Sequence, residues 1–158
     1  MMLIKRMRVA TFFVLSMAVF SDGIRAAEIP AVLPPWTPVT VRPGQAETDV
    51  GVWGRAHLFA QAALPVGIKA GGHDLLSAPV RLVGQVDGKP IEWLKGGHWV
   101  LDSDKAQATV CGWQSNDDLA VNASTRIEYD GMIRIGFAVV PQVKKTPKLE
   151  RLWLEMPL

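Results

Sequence analysis

An antiparallel β-sandwich is the fold class this sequence predicts, and three features carry the prediction. From about Asp49 onward apolar residues recur with a period of two, turn dipeptides punctuate the chain at short spacing, and no stretch forms an amphipathic helix. Apolar residues make up 49% and charged residues 20% of the 158 positions. That balance fits one globular domain rather than a disordered or membrane chain.

The chain opens with MMLIKRMR, continues through the apolar and small-residue run Val9 to Phe20, and then reaches SDGIRAA. A basic start, a short apolar middle and a small-residue end predict a secretory signal peptide of bacterial type over residues 1–26, cut near Ala26 or Ala27. As a helix the apolar run reaches about 18 Å, short of the ~30 Å hydrocarbon core, so no permanent membrane span is expected after cleavage. The formal charge of +2 belongs largely to this segment. Without it the 17 basic and 15 acidic residues fall to 13 and 14, and no basic patch remains to argue for nucleic acid. The expected location is exported, periplasmic or extracellular.

Residues 27–48 read as a proline-rich lead-in, with five of the 11 prolines between Glu28 and Gly44. Proline fixes φ and lacks an amide proton, so this stretch is expected to be extended and either edge-paired or loose. The sandwich domain is placed over residues 49–158. Its strands are read as Val52–Phe59, Val66–Ala70 ending at a Gly71-Gly72 turn, Val80–Val86 closed by Asp87-Gly88, and Pro90–Trp93. His98–Leu101, Ala108–Trp113 and Leu149–Met156 follow the same logic. The strictest alternation runs from Leu119 to Tyr129, with Leu119, Val121, Ala123, Thr125 and Ile127 on one side and Ala120, Asn122, Ser124 and Arg126 on the other. Asp130-Gly131 then favours a tight hairpin onto Met132–Val140, which Pro141 ends. The total expected is eight to ten short strands.

Few residues suggest chemistry. His57, His73 and His98 lack the i, i+2 or i, i+4 spacing of paired ligands on one face, so no metal is expected. Asp102/Asp104 and Asp117/Asp118 sit among Ser, Lys, Asn and Gln and read as solvated turns. Neither the calcium-loop repeat nor the facing carboxylates of a glycosidase can be placed there. No Gly-x-Ser-x-Gly or phosphate-binding Gly-Lys-Ser/Thr occurs, and no cofactor is expected. Asn122-Ala123-Ser124 matches a glycosylation sequon, which the bacterial-type leader makes a chance match. Cys111 is the single cysteine, excludes an intrachain disulfide, and reads as a small buried hydrophobe. Six tryptophans stand out, because an indole can fill a core or stack on the apolar face of a sugar. Trp53, Trp93, Trp99 and Trp113 are the candidate substrate-binding residues, with packing as the competing role for each.

Four segments carry a family resemblance: Val52-Trp53-Gly54-Arg55 leading to Phe59 and Leu64-Pro65; Pro79 to Gly84 with Asp87-Gly88-Lys89-Pro90; Ile127-Glu128-Tyr129-Asp130-Gly131-Met132-Ile133-Arg134; and Leu152 to Leu158. In this order they resemble the N-terminal β-sandwich of secreted bacterial proteins related to glycoside hydrolase family 123, a group partly described as a domain of unknown function. The resemblance covers residues 50–158. It implies a partner (β/α)-barrel holding the catalytic acids and acting on N-acetylhexosamine glycosides. That barrel is missing from this sequence or separately encoded, so the resemblance assigns no catalytic residue here.

The expectation is therefore an all-β antiparallel sandwich, galactose-mutarotase-like or jelly-roll-like, preceded by a signal-peptide helix. Its expected role is that of a non-catalytic module of an exported glycoside-hydrolase-like protein, a fragment without its barrel. The alternative is a free-standing carbohydrate-binding module with a glycan as partner. An enzyme in its own right would need two convergent acids among Asp102, Asp104, Asp117, Asp118, Glu128 and Asp130.

Overall fold

The computed structural model describes residues 32–142 and 147–158, so the leader segment 1–26 lies outside the described residues. Among the described residues there are twelve strands and no helix. The antiparallel pairing and sandwich packing follow the period-two pattern.

The first five strands are β1 (Thr40–Pro43), β2 (Thr48–Val52), β3 (Arg55–Phe59), β4 (Pro65–Ala70) and β5 (His73–Asp74), and they form one antiparallel sheet in sequential order. Strand β1 lies in the proline-rich segment and takes an edge position, pairing only with β2. That is where a strand ending in Pro43 loses least by lacking an amide. The stretch Val52–Phe59, read above as one strand, is instead the junction of two, because the chain turns at Trp53-Gly54 with Gly54 at φ 67°. Next come β6 (Arg81–Val86) and β7 (Lys89–Pro90), joined at Asp87-Gly88 with both residues at positive φ, as a type I′ turn requires. Strand β7 stops at Pro90, so the expected strand to Trp93 is reduced to two residues.

The strands β8 (Lys95–Ser103), β9 (Gln107–Ser115), β10 (Leu119–Glu128) and β11 (Ile133–Pro141) build a four-stranded antiparallel sheet in the order β11-β10-β9-β8. The Asp130-Gly131 hairpin forms, but not as a two-residue loop. The Gly131 amide donates to the Glu128 carbonyl at 2.8 Å and only Gly131 has positive φ, the pattern of a type I turn completed by a left-handed glycine. The last strand, β12 (Leu149–Glu155), returns to pair with β6 and makes a three-stranded sheet, β12-β6-β7.

The inner face of the four-stranded sheet meets both other sheets. Val50, Val52 and Phe59 pack with Ala108, Val110 and Ile127 in one cluster. Val80, Leu82 and the partly buried Leu152 and Leu154 pack with Val121 in the other. The segment Gln61–Ala63 passes close over the sheet: a Cβ on Gly96 would lie 2.5 Å from the Gln61 carbonyl oxygen, and one on Gly112 2.6 Å from the Ala63 amide nitrogen. Only glycine permits that approach. Buried Thr125 donates its hydroxyl to the Ala63 carbonyl and fixes the crossing.

Candidate functional site

With one face of the four-stranded sheet committed to the core, alternation sends the intervening side chains to the other face. The register then lines them up in rows. Trp99, Cys111, Ser124 and Gly136 stand opposite one another across β8, β9, β10 and β11; Gly97, Trp113, Asn122 and Ala138 form the adjacent row. On the other flank, Asp102 pairs with Thr109, Thr109 with Arg126, and Arg126 with Arg134.

The middle row has three small members, so the face sinks between its flanks. Trp99, Cys111, Ser124 and Gly136, with Asn122 and Ala138 beside them, line an open hollow of about 410 Å³. Trp99 is 49% exposed and Trp113 38% exposed. A Cβ on Gly97 would lie 3.3 Å from the Trp113 ring nitrogen, so the indole rests over that glycine. Residues in these diagonal positions have Cβ atoms about 7–8 Å apart or less, which places two indoles on one solvent-facing strip. Burial, reinforced by the nearby Asp102 charge, holds the Cys111 thiol above its ordinary pKa, which favours the neutral form.

The other candidate tryptophans lie elsewhere. Trp53 is half exposed at the β2–β3 turn, on a different sheet. Trp93 donates its ring N–H to the Leu82 carbonyl at 2.8 Å and packs on the second core cluster. With Trp113, Gln61, Leu94 and Lys95 it also lines a separate hollow of about 480 Å³. Trp36 meets Tyr129 edge to face at 5.8 Å, and exposed Trp153 donates to Glu155 at 3.3 Å. Of the four candidates, the structure brings Trp99 and Trp113 together on the hollowed face and leaves Trp53 apart.

Several of the acids have structural partners. Asp104 accepts from the Ala106 and Gln107 amides at 2.7 and 2.9 Å, and Asp130 accepts from the Met132 amide at 2.9 Å. Glu128 pairs with Arg126 at 3.0 Å. Asp117 and Asp118, with Asp87, Lys89 and Glu92, border a third hollow of about 650 Å³ beyond the far end of β9. His57 is buried with its Nδ1 3.2 Å from the Val50 carbonyl, which makes Nδ1 the protonated nitrogen. His98 Nε2 lies 3.1 Å from Thr48 Oγ1, and His73 is exposed. Among the described residues no three His, Cys, Asp or Glu side chains are grouped to hold a metal.

Residue-type motifs did not single out Asn122, Ser124, Arg126, Arg134 and Gly136 as a group. The signal was the strict alternation of β10, which already put Asn122, Ser124 and Arg126 on one side; their β11 partners needed the register.

A search of curated proteins returned no match. A protein-family model described as glycoside hydrolase 123, third domain, matches residues 45–158. The relation to glycoside hydrolase 123 stands, while the N-terminal placement implied by the resemblance gains no support from a model of a third domain. On a match that runs through all but the first of the twelve strands, the chain belongs to the glycoside hydrolase 123 third-domain family.

Proposed function

We propose that this chain is a non-catalytic β-sandwich module of an exported glycoside-hydrolase-like protein, working beside a catalytic barrel that carries the bond-breaking acids. The observation that carries this reading is that the six candidate acids divide between opposite ends of β9, and that three of the four at the Asp104 end are engaged by other groups. Asp104 sits at the β8–β9 turn and Asp117/Asp118 at the β9–β10 turn, so the nine residues of β9 separate them by roughly 25–30 Å. A glycosidase needs its two carboxyl groups about 5–9.5 Å apart. At the Asp104 end, Glu128 is paired with Arg126, and Asp104 and Asp130 accept backbone amides. Purified protein incubated with chromogenic N-acetylhexosaminides is expected to release no chromophore above the buffer rate. Hydrolysis that disappears in Glu128→Gln would overturn the reading.

A second reading, carbohydrate binding, is favoured by one observation: Trp99 and Trp113 share the solvent-facing side of one sheet, where Trp99 borders a hollow floored by small residues. Indole faces stack on the C–H faces of pyranose rings, and Asn122 and Ser124 place polar groups beside them. Localisation outside the cytoplasm, on the strength of the leader sequence, fits either role.

A further inference from the structure

We infer that the hollow on the four-stranded sheet takes an acidic oligosaccharide, one bearing carboxylate or sulfate groups, with its anionic end toward β11. This rests on the carbohydrate-binding reading and adds the class and direction of the ligand. The hollow runs across the strands from Trp99 on β8 to Gly136 on β11, three inter-strand steps or about 14 Å, the scale of a short oligosaccharide. Its Trp99 end offers a ring face. Its floor offers the Ser124 hydroxyl and, on one bank, the Asn122 amide.

The charges in the next row of the same face, just outside the hollow's lining, are arranged unevenly. Arg126 and Arg134 stand directly opposite each other on β10 and β11, with side chains on the hollowed face. Like charges in that position oppose the pairing of the two strands, so the arrangement is one that an anion would relieve. Glu128 engages Arg126 at 3.0 Å, whereas no carboxylate among the described residues pairs with Arg134. At the β8 end of the same row stands Asp102, which repels an anion. The planar guanidinium donates two parallel N–H bonds to a carboxylate or sulfate, which suits Arg134 to an acidic sugar substituent. An acidic chain laid in the hollow therefore has one favoured direction: a ring against Trp99 and its anionic group at Arg134.

The test uses the whole protein and two hexasaccharides, neutral chitohexaose and hyaluronan hexasaccharide, which alternates N-acetylglucosamine with glucuronate. Binding is read by tryptophan fluorescence and by calorimetry. The acidic sugar is expected to bind at least about tenfold more tightly at low ionic strength, with the margin shrinking as salt is added. Arg134→Gln is expected to remove that margin while leaving chitohexaose binding unchanged, and Trp99→Ala to weaken both sugars. Arg151→Gln, on the outer face of β12, is expected to change neither. Bound hyaluronan should also slow iodoacetamide alkylation of Cys111, which places the sugar in this hollow. Equal affinity for both sugars, or a margin that survives Arg134→Gln, overturns the acidic preference and leaves carbohydrate binding standing. Absence of binding to either sugar overturns both.

Discussion

The buried hydroxyl of Thr125, near the middle of β10, donates to the backbone carbonyl of Ala63, tying the four-stranded sheet to the segment that links β3 to β4. Valine has nearly the same shape as threonine but cannot donate. Thr125→Val therefore leaves the Ala63 carbonyl without that partner in a dry site and is expected to destabilise the fold by about 1–3 kcal/mol. Urea unfolding measures it, and a variant as stable as the parent would show that the hydroxyl contributes nothing net.

His57 makes stability depend on pH. Burial lowers its pKa below 6.5, with Arg55 adding to the depression, while the Val50 hydrogen bond and the Asp49 charge oppose it. The unfolded chain thus takes up a proton near pH 6.5 that the native protein accepts only at lower pH. The stability tied to a neutral His57 is fully present above that value and is lost as pH falls from 6.5 toward the lower native pKa. Urea midpoints should decline through this window in the parent and decline less in His57→Gln. An identical decline in both would remove His57 as the source.

Gly131 and Gly54 separate backbone strain from crowding. Both have positive φ, at 87° and 67°. A Cβ at Gly54 meets no heavy atom within 4 Å, whereas one at Gly131 collides with the Arg55 guanidinium, whose Nη1 also lies 3.4 Å from the Asp130 carbonyl. Gly54→Ala is expected to cost about 1–2 kcal/mol from conformation alone. Gly131→Ala should cost more, by the energy of moving Arg55. The paired unfolding curves decide it, and equal costs would mean the arginine swings away freely.

Trp93 and Trp99 should respond in opposite ways to truncation. Trp93→Ala removes packing from the second core cluster and orphans the Leu82 carbonyl, for an expected loss of at least about 2 kcal/mol. Trp99→Ala deletes a half-exposed indole and should shift stability by no more than about 0.5 kcal/mol. A large loss at Trp99 would give it a packing role and weaken its assignment to ligand contact.

The clearest strand pattern in the sequence is also the one that positions the hollow. Alternation from Leu119 onward and the Asp-Gly pair after it specify β10 and its hairpin, because burial of one face enforces the period. The turn at Trp53-Gly54 is not legible in the sequence because Trp-Gly is a weak turn signal. Its trace is a change of parity: Thr48, Val50 and Val52 point inward before it, His57 and Phe59 after it. Alternation also places Trp113 with Cys111. What alternation cannot supply is the pairing of Trp99 with Cys111 and of Arg126 with Arg134, since cross-strand register depends on loop geometry. The β8–β9 alignment shifts at an irregularity between Val100 and Asp102, and the β10–β11 loop is longer than a two-residue turn. Such offsets arise from the folded backbone and have no fixed signature in residue order.

Strand β6 has only two residue pairs with β7, and its long partner is β12. Arg81 and Glu155, joined at 2.7 Å across that pairing, lie 74 positions apart along the chain. In a chain that emerges N-terminus first, the cluster around Phe59, Val110 and Ile127 has every contributor available well before β12 appears. The cluster around Val80, Leu82 and Val121 is complete only once Leu152 and Leu154 arrive. A chain emerging N-terminus first thus completes one cluster before the other, and the second keeps apolar surface open until β12 arrives.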